Sequence, residues 1–168
     1  EITNLRASDA KNSSDTVTVD STLRNNNTSS ITSSSVTYTV WYDLSGDGVF
    51  GVGDQWIDSS GQPQSYSATA TMETHVSSGI TVSGDSTYAD DWTLSNKDFE
   101  YWGIYRVDAT WNTSNGTFID EETTTFYSPG LTPEITLTKA LASGQDPYIQ
   151  VGQSVTFAIR VENTGDTT

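Results

Sequence analysis

The residues best placed to do chemistry lie in one twelve-residue run, Asp43-Leu44-Ser45-Gly46-Asp47-Gly48-Val49-Phe50-Gly51-Val52-Gly53-Asp54. Oxygen-bearing side chains stand at its first, third, fifth and twelfth positions and a glycine at its sixth, which is the spacing a calcium loop needs. On that reading Asp43, Ser45 and Asp47 ligate through side chains and Val49 through its carbonyl. Gly51 takes the position often served by water, and Asp54 closes the site. Gly48 permits the sharp turn. Asp54 is shorter than the usual glutamate, so a bidentate grip is harder to reach and affinity falls. The flanks read as strands, so the loop would sit in a β-protein without a helix pair; a plain Asp-Gly-rich hairpin is the alternative.

Other chemistry is sparse. Gly46, Gly48 and Gly51 also spell G-x-G-x-x-G, but no amphipathic helix follows to present its N-terminus to a pyrophosphate, and Asp47 would repel that anion. Asp85, Asp90, Asp91, Asp98 and Glu100 form a second acidic patch and Asp120, Glu121 and Glu122 a third, both read as solvated loop charge. His75 is the sole histidine, cysteine is absent and no Gly-X-Ser-X-Gly elbow occurs, so a nucleophile triad has one possible base and no recognisable nucleophile context. No acidic pair is singled out for glycosidase chemistry. The expectation is a non-enzyme. Trp41, Trp56, Trp92, Trp102 and Trp111, with eight tyrosines, could stack on sugars, but the strand aromatics are read first as core. Trp41 and Trp102 fall on the faces opposite the expected core; if exposed, they mark a protein contact surface.

The elements that must position these residues are strands. Seven basic against 22 acidic residues give a net charge of -15, which opposes nucleic acid and anionic lipid and favours divalent cations. No apolar run is long enough to span a bilayer, so direct membrane insertion is not expected. Sequons at Asn12, Asn26, Asn27, Asn112 and Asn115, with Ser, Thr, Asn, Asp and Gly dominant and lysine scarce, lean towards an extracellular glycoprotein.

Period-two alternation recurs between Gly, Asn, Asp and Ser clusters. It predicts strands over Ile2 to Ala7 and Asp15 to Leu23, then a turn over Arg24 to Ser30. From Val36 the alternation is clean, with Val36, Tyr38, Val40 and Tyr42 on one face, running directly into the acidic loop. Gln55 to Asp58 reads as a short edge strand and Ser59 to Pro63 as a turn; Tyr66 to Glu73 and Ile80 to Val82 are weaker strands. Asp85 to Phe99 reads as a long loop or short helix. Tyr101 to Trp111 is a central strand with Tyr101, Tyr105, Val107, Ala109 and Trp111 on one face, and Thr117 to Tyr127 the last, with Asp120 to Glu122 marking an edge or bulge. Such a count predicts an all-β, Ig-like antiparallel sandwich over residues 1–128.

Residues 129–133, inside Ser128-Pro129-Gly130-Leu131-Thr132-Pro133, read as a stiff linker. Beyond it Ile135, Leu137, Lys139 and Leu141 alternate with Thr136, Thr138 and Ala140, and Val155, Phe157, Ile159 and Val161 alternate with Thr156, Ala158, Arg160 and Glu162. Two such strands cannot hide an apolar face by themselves. Residues 134–168 are therefore expected to form part of a second Ig-like domain, needing strands from elsewhere, whether from a longer parent chain or from another subunit.

Ile135-Thr136-Leu137-Thr138-Lys139, Val151-Gly152-Gln153-Ser154-Val155-Thr156-Phe157 and Val161-Glu162-Asn163-Thr164-Gly165-Asp166-Thr167-Thr168 resemble the opening of the Ig-like conserved-repeat domains of bacterial and archaeal cell-surface proteins. Val17-Thr18-Val19, Leu23 to Asn27 and Tyr38 to Asp47 more loosely resemble the bacterial Ig-like cell-adhesion-related domain. The resemblance implies a stalk, adhesin, surface-layer or filament component at the cell surface, and neither family implies a catalytic residue. The resulting expectation is a calcium-stabilised, non-catalytic structural module assembling by strand completion with other copies or domains of the same surface protein. The alternative is an adhesin or carbohydrate-binding module using exposed Trp and Tyr on a glycan ligand.

Overall fold

The computed structural model describes residues 1–10, 15–94, 101–130, 135–148 and 150–163. The described residues are all-β, and every strand pair among them is antiparallel. The chain divides into two compact units, Glu1–Gly130 and Leu131–Thr168.

The first unit holds β1 (Ile2–Ala7), β2 (Val17–Asn25), β3 (Ile31–Tyr42), β4 (Gln55–Ile57), β5 (Pro63–Ser65), β6 (His75–Val82), β7 (Ser86–Leu94), β8 (Trp102–Asn112) and β9 (Phe118–Pro129). One sheet has the order β1-β2-β7 and the other β5-β4-β3-β8-β9, with β6 also beside β3. Their facing sides share a core. Val17, Val19, Leu23 and Leu94 of the first sheet meet Val36, Tyr38, Val40, Tyr105, Val107, Ala109 and Trp111 of the second, all fully buried. For β2, β3 and β8 that is the alternation expected, each second side chain leaving water.

β3 organises the second sheet. Its twelve residues pair with β8 on one side and with β6 and then β4 on the other, and its end delivers Asp43 to the acidic loop. At the opposite edge of the sheet, Trp111 pairs with Asp120 and Asn112 with Phe118, so Ile119 is an extra residue in a bulge. The outer side of β9 is partly closed by the N-terminal segment: Ile2 N donates to Asp120 Oδ2 at 2.6 Å and Ala10 N to the Tyr127 carbonyl at 3.0 Å.

Several expectations are corrected. Asp85 to Phe99 is neither loop nor helix as far as Leu94: residues 86–94 form β7, paired with β2 over nine consecutive residues. Its acids hid the alternation, because Asp90 faces inward and is satisfied there by the Tyr38 hydroxyl at 2.6 Å. The rest of that stretch, with Asp98, Phe99 and Glu100, lies outside the described residues. Tyr66 to Glu73 is not a strand but an irregular strap, its small Ser, Ala and Thr side chains offering little to bury. β2 continues to Asn25 because the Asn25 amide is itself buried, donating to the carbonyls of Ser29 and Val82 at 2.8 and 3.1 Å. β6 and β3 begin earlier than their apolar residues suggest, at His75 and Ile31.

Trp41, expected on an open face, is only 6% exposed. The strap covers it with Tyr66, ring centroids 5.9 Å apart, while Arg106 packs over the indole and Asp108 accepts its Nε1 hydrogen bond at 2.8 Å. Tyr101 precedes β8 and stays partly exposed instead of joining the core. Pro129, read as linker, instead ends β9, paired with Trp102, and the buried Gly130 after it lies so close that a Cβ would come within 2.4 Å of Trp102 N. Leu131 to Pro133 lie outside the described residues.

In the second unit, β10 (Ile135–Leu141) and β11 (Phe157–Asn163) pair in register over seven residues as a two-stranded ribbon.

Candidate functional site

The twelve-residue loop is built inward around its first and last carboxylates. Asp43 and Asp54 are buried, at 8% and 3% exposure, although the residues between them are mostly exposed. Asp43 Oδ1 accepts from Gly46 N at 2.7 Å and from the Ser45 hydroxyl at 3.2 Å, and its Oδ2 accepts from Gly48 N at 2.9 Å. Asp54 takes Ser45 N on Oδ1 at 3.1 Å and Gly51 N on Oδ2 at 2.9 Å. Both carboxylates therefore converge on Ser45. Wrapping amides around a carboxylate this tightly requires left-handed backbone, which Gly46 and Gly48 supply at φ of 71° and 75°.

Of the other expected ligands, Asp47 is exposed and its Oδ1 accepts from Val49 N at 2.8 Å, an Asx turn of its own; Val49 and Gly51 belong to the same curl. The loop thus brings Asp43, Ser45 and Asp54 together and leaves Asp47 on the rim. Among the described residues no three His, Cys, Asp or Glu side chains form a metal-holding group. The donor set is hard oxygen throughout, which suits calcium or magnesium and not zinc or copper. Asp43 and Asp54 keep lone pairs beyond those given to the amides.

Against the loop lies a mainly apolar cleft of about 430 Å³ lined by Tyr42, Asp43, Leu44, Gly46, Trp102, Gly103, Ile104 and Tyr127. Trp102 is 70% exposed and meets Tyr127 edge-on at 6.1 Å. Gly103 forms the floor, since a Cβ there would stand 3.3 Å from the Tyr42 ring. Burial, then the charge of Asp43 and the neighbouring Tyr101, raises the Tyr42 pKa. The exposed position of Trp102 is legible from alternation; the partnership of Ile104 and Tyr127 with it is not, because it depends on the β8–β9 register.

A second polar cluster, absent from the sequence reading, ties the two sheets of the first unit together. The Tyr38 hydroxyl donates to Asp90 and lies 2.9 Å from the Ser21 hydroxyl, and burial followed by Asp90 raises its pKa, so it stays protonated. His75 stacks on Trp92 at 4.9 Å with planes 8° apart, and burial lowers its pKa against an opposing pull from Asp90.

Among the described residues the acidic patches do not converge. Asp90 points inward while Asp91 is exposed, and Asp85 sits at a turn with φ of 52°. Asp120 accepts from Ile2 N, while Glu121 and Glu122 rim an outer-face groove of about 350 Å³ beside the Arg106–Asp108 ion pair at 2.7 Å. Of the sequon asparagines, Asn26, Asn27 and Asn115 are exposed and Asn112 half-buried; Asn12 lies outside the described residues.

The ribbon has the opposite problem from the loop. Ile135, Leu137, Leu141, Phe157, Ile159 and Val161 share one face and are all exposed, with Leu137 at 68% and Ile159 at 64%. Lys139 stands among them, its Nζ 3.9 Å from the centroid of the Phe157 ring. No helix among the described residues is long and apolar enough to cross a membrane. No family model matches the chain, and no curated protein matches it.

Proposed function

We propose that this chain is a non-catalytic structural module of an extracellular surface protein or filament, stabilised by calcium in the first unit and assembled by β-strand completion of the second. The observation that carries it is the β10–β11 ribbon, whose entire apolar face lies open. A two-stranded ribbon is marginal in water, and six exposed large apolar side chains on one face are a surface meant to be covered. The first unit is consistent with an Ig-like sandwich: its first, second and seventh strands share one sheet, and its third, eighth and ninth the other, as strands A, B, E and C, F, G do in that fold. The -15 charge suits a salt-bathed outer surface.

Calcium would be held by Asp43, Ser45 and Asp54, with Asp47, the Val49 carbonyl and a water at Gly51 completing the shell once Asp47 turns inward. In a chain without cysteine, the ion does for the β3–β4 connection what a disulfide does elsewhere. The assembly claim is tested by solution mass against concentration: the reading requires growth beyond the monomer, and a chain monomeric at every soluble concentration, with residues 135–163 unprotected, contradicts completion between copies.

A second reading, a glycan-binding adhesin module, is favoured by one observation, the Trp102–Tyr127 cleft. Glycan-array binding lost in Trp102→Ala would establish it; silence on the array would remove this reading.

A further inference from the structure

The strand-completion reading leaves open which strand meets which. Among the described residues the first unit offers five sheet edges. That of β9 is engaged by the N-terminal segment, β5 is three residues long and starts with Pro63, β6 follows β3 through two register shifts with Gly79 at φ 74°, and β1 is broken by a register shift between Thr3 and Arg6, with Asn4 at φ 55°. β7 is different. It pairs with β2 without a shift over nine residues and, among the described residues, carries no partner strand on its other side. A long, regular, open edge is a template for another strand.

Its side chains specify what that strand should look like. Along the core-facing side run Tyr88, Asp90, Trp92 and Leu94, and along the outer side Ala89, Asp91 and Thr93. Asp90 gives one carboxylate oxygen to Tyr38, lies within electrostatic reach of His75 and forms no ion pair among the described residues. On the ribbon, β10 carries Ile135, Leu137, Lys139 and Leu141 on its apolar face and Thr136, Thr138 and Ala140 on the other. Lys139 is the one charge on that face.

We propose that β10 of one copy adds antiparallel to the open edge of β7 in a second copy, with Lys139 opposite Asp90. That register, which extends the strand-completion reading and rests on it, sets Ile135 against Leu94, Leu137 against Trp92 and Leu141 against Tyr88. On the outer face it sets Thr136 against Thr93, Thr138 against Asp91 and Ala140 against Ala89. Each is a favourable cross-strand pair: apolar with apolar or aromatic, hydroxyl with hydroxyl or carboxylate, lysine with aspartate. The parallel alternative with Lys139 kept at Asp90 puts Ile135 beside Ser86 and Ala140 beside Asp91. β11 fits less well, since Phe157, Ile159 and Val161 bring no cation to Asp90. Charge agrees, for only four of the 22 acidic residues lie beyond residue 130, so the ribbon is the part of the chain least repelled by the first unit of another copy. The sheet order becomes β1-β2-β7-β10-β11, main-chain hydrogen bonds supplying affinity and the side-chain pairs the register. Edge and donor are different surfaces, so the contact is heterologous and propagates from copy to copy.

Because the chain has no cysteine, the register can be trapped. Ala89→Cys and Ala140→Cys are placed in separate full-length chains, both at exposed small residues, and mixed under mild oxidation. Directly opposite residues of an antiparallel pair lie within disulfide reach, whereas Thr93→Cys, four residues along β7, is shifted by roughly 13 Å. A heterodimeric disulfide with Ala89→Cys and none with Thr93→Cys is expected. Lys139→Glu, an exposed change that leaves the first unit untouched, should weaken self-association by at least about tenfold through like charges placed opposite each other. Self-association without the 89–140 disulfide, or unmoved by Lys139→Glu, overturns this register while leaving strand completion standing. A chain that never associates overturns both.

Discussion

Val36, Tyr38 and Val40 on β3 and Leu137, Ile159 and Val161 on the ribbon follow the same alternation, yet the first three are fully buried and the last three more than 60% exposed. The difference lies in what stands opposite. In the first unit a second sheet supplies a facing layer, and even the outer side of β3 is roofed where Trp41 meets Tyr66. The ribbon has a face and no layer. Period two therefore specifies that a face will be buried, and topology alone decides by whom.

The comparison breaks most visibly by truncation. Trp111→Ala, in the shared core, should cost about 3–5 kcal/mol in urea unfolding of the first unit, while Leu137→Ala should leave that transition within about 0.5 kcal/mol. Equal losses would mean that the ribbon already serves the same core.

The next effect belongs to the loop. With free calcium at about a hundredfold its dissociation constant, the melt should rise by the equivalent of about 2.7 kcal/mol over chelator, and Asp43→Ala should abolish the response. That substitution also strips the acceptor from Gly46 and Gly48 N–H, so it should lower stability by about 1–3 kcal/mol even without metal. A wild-type melt indifferent to calcium removes the ion and leaves an amide-wrapped turn. Smaller again is Gly48→Ala, which has room for its methyl but must hold a left-handed backbone, at a cost of about 1–2 kcal/mol.

The smallest expected effect is the titration of the cross-sheet cluster. His75 titrates near 6.5 when unfolded and lower when folded, because burial outweighs the pull of Asp90. The unfolded chain therefore binds the proton more readily. The contribution of His75 is complete above pH 6.5 and declines as pH falls towards the folded-state value. His75→Gln should flatten that segment of the stability profile; an unchanged slope would assign it to carboxylates.

What was legible in the sequence was local. Val36 to Tyr42, the loop from Asp43 to Asp54 and Tyr105 to Trp111 declare themselves because each strand faces one core and the loop repeats a ligand spacing. β7 was not legible, since its inward positions hold Asp90 and Trp92, and an acid faces inward only because Tyr38, 52 residues earlier, donates to it. Trp41 failed because the segment that hides it, Tyr66 to Glu73, was expected as a weak strand and is an irregular strap, whose place over the indole no local pattern specifies. Within the loop, the ligand spacing singled out Asp43 and Asp54, and both carboxylates are buried. It could not foretell that Asp47 would spend its carboxylate on Val49 N, a choice made by local backbone geometry.

The central claim is that the ribbon cannot hold itself and is completed from elsewhere, and amide hydrogen exchange of the full chain tests it most directly. In dilute solution the amides of residues 135–141 and 157–163 should exchange far faster than those of β2 and β3, and should become protected as concentration drives association. Slow exchange in the dilute monomer would show a ribbon stable by itself and would contradict the account.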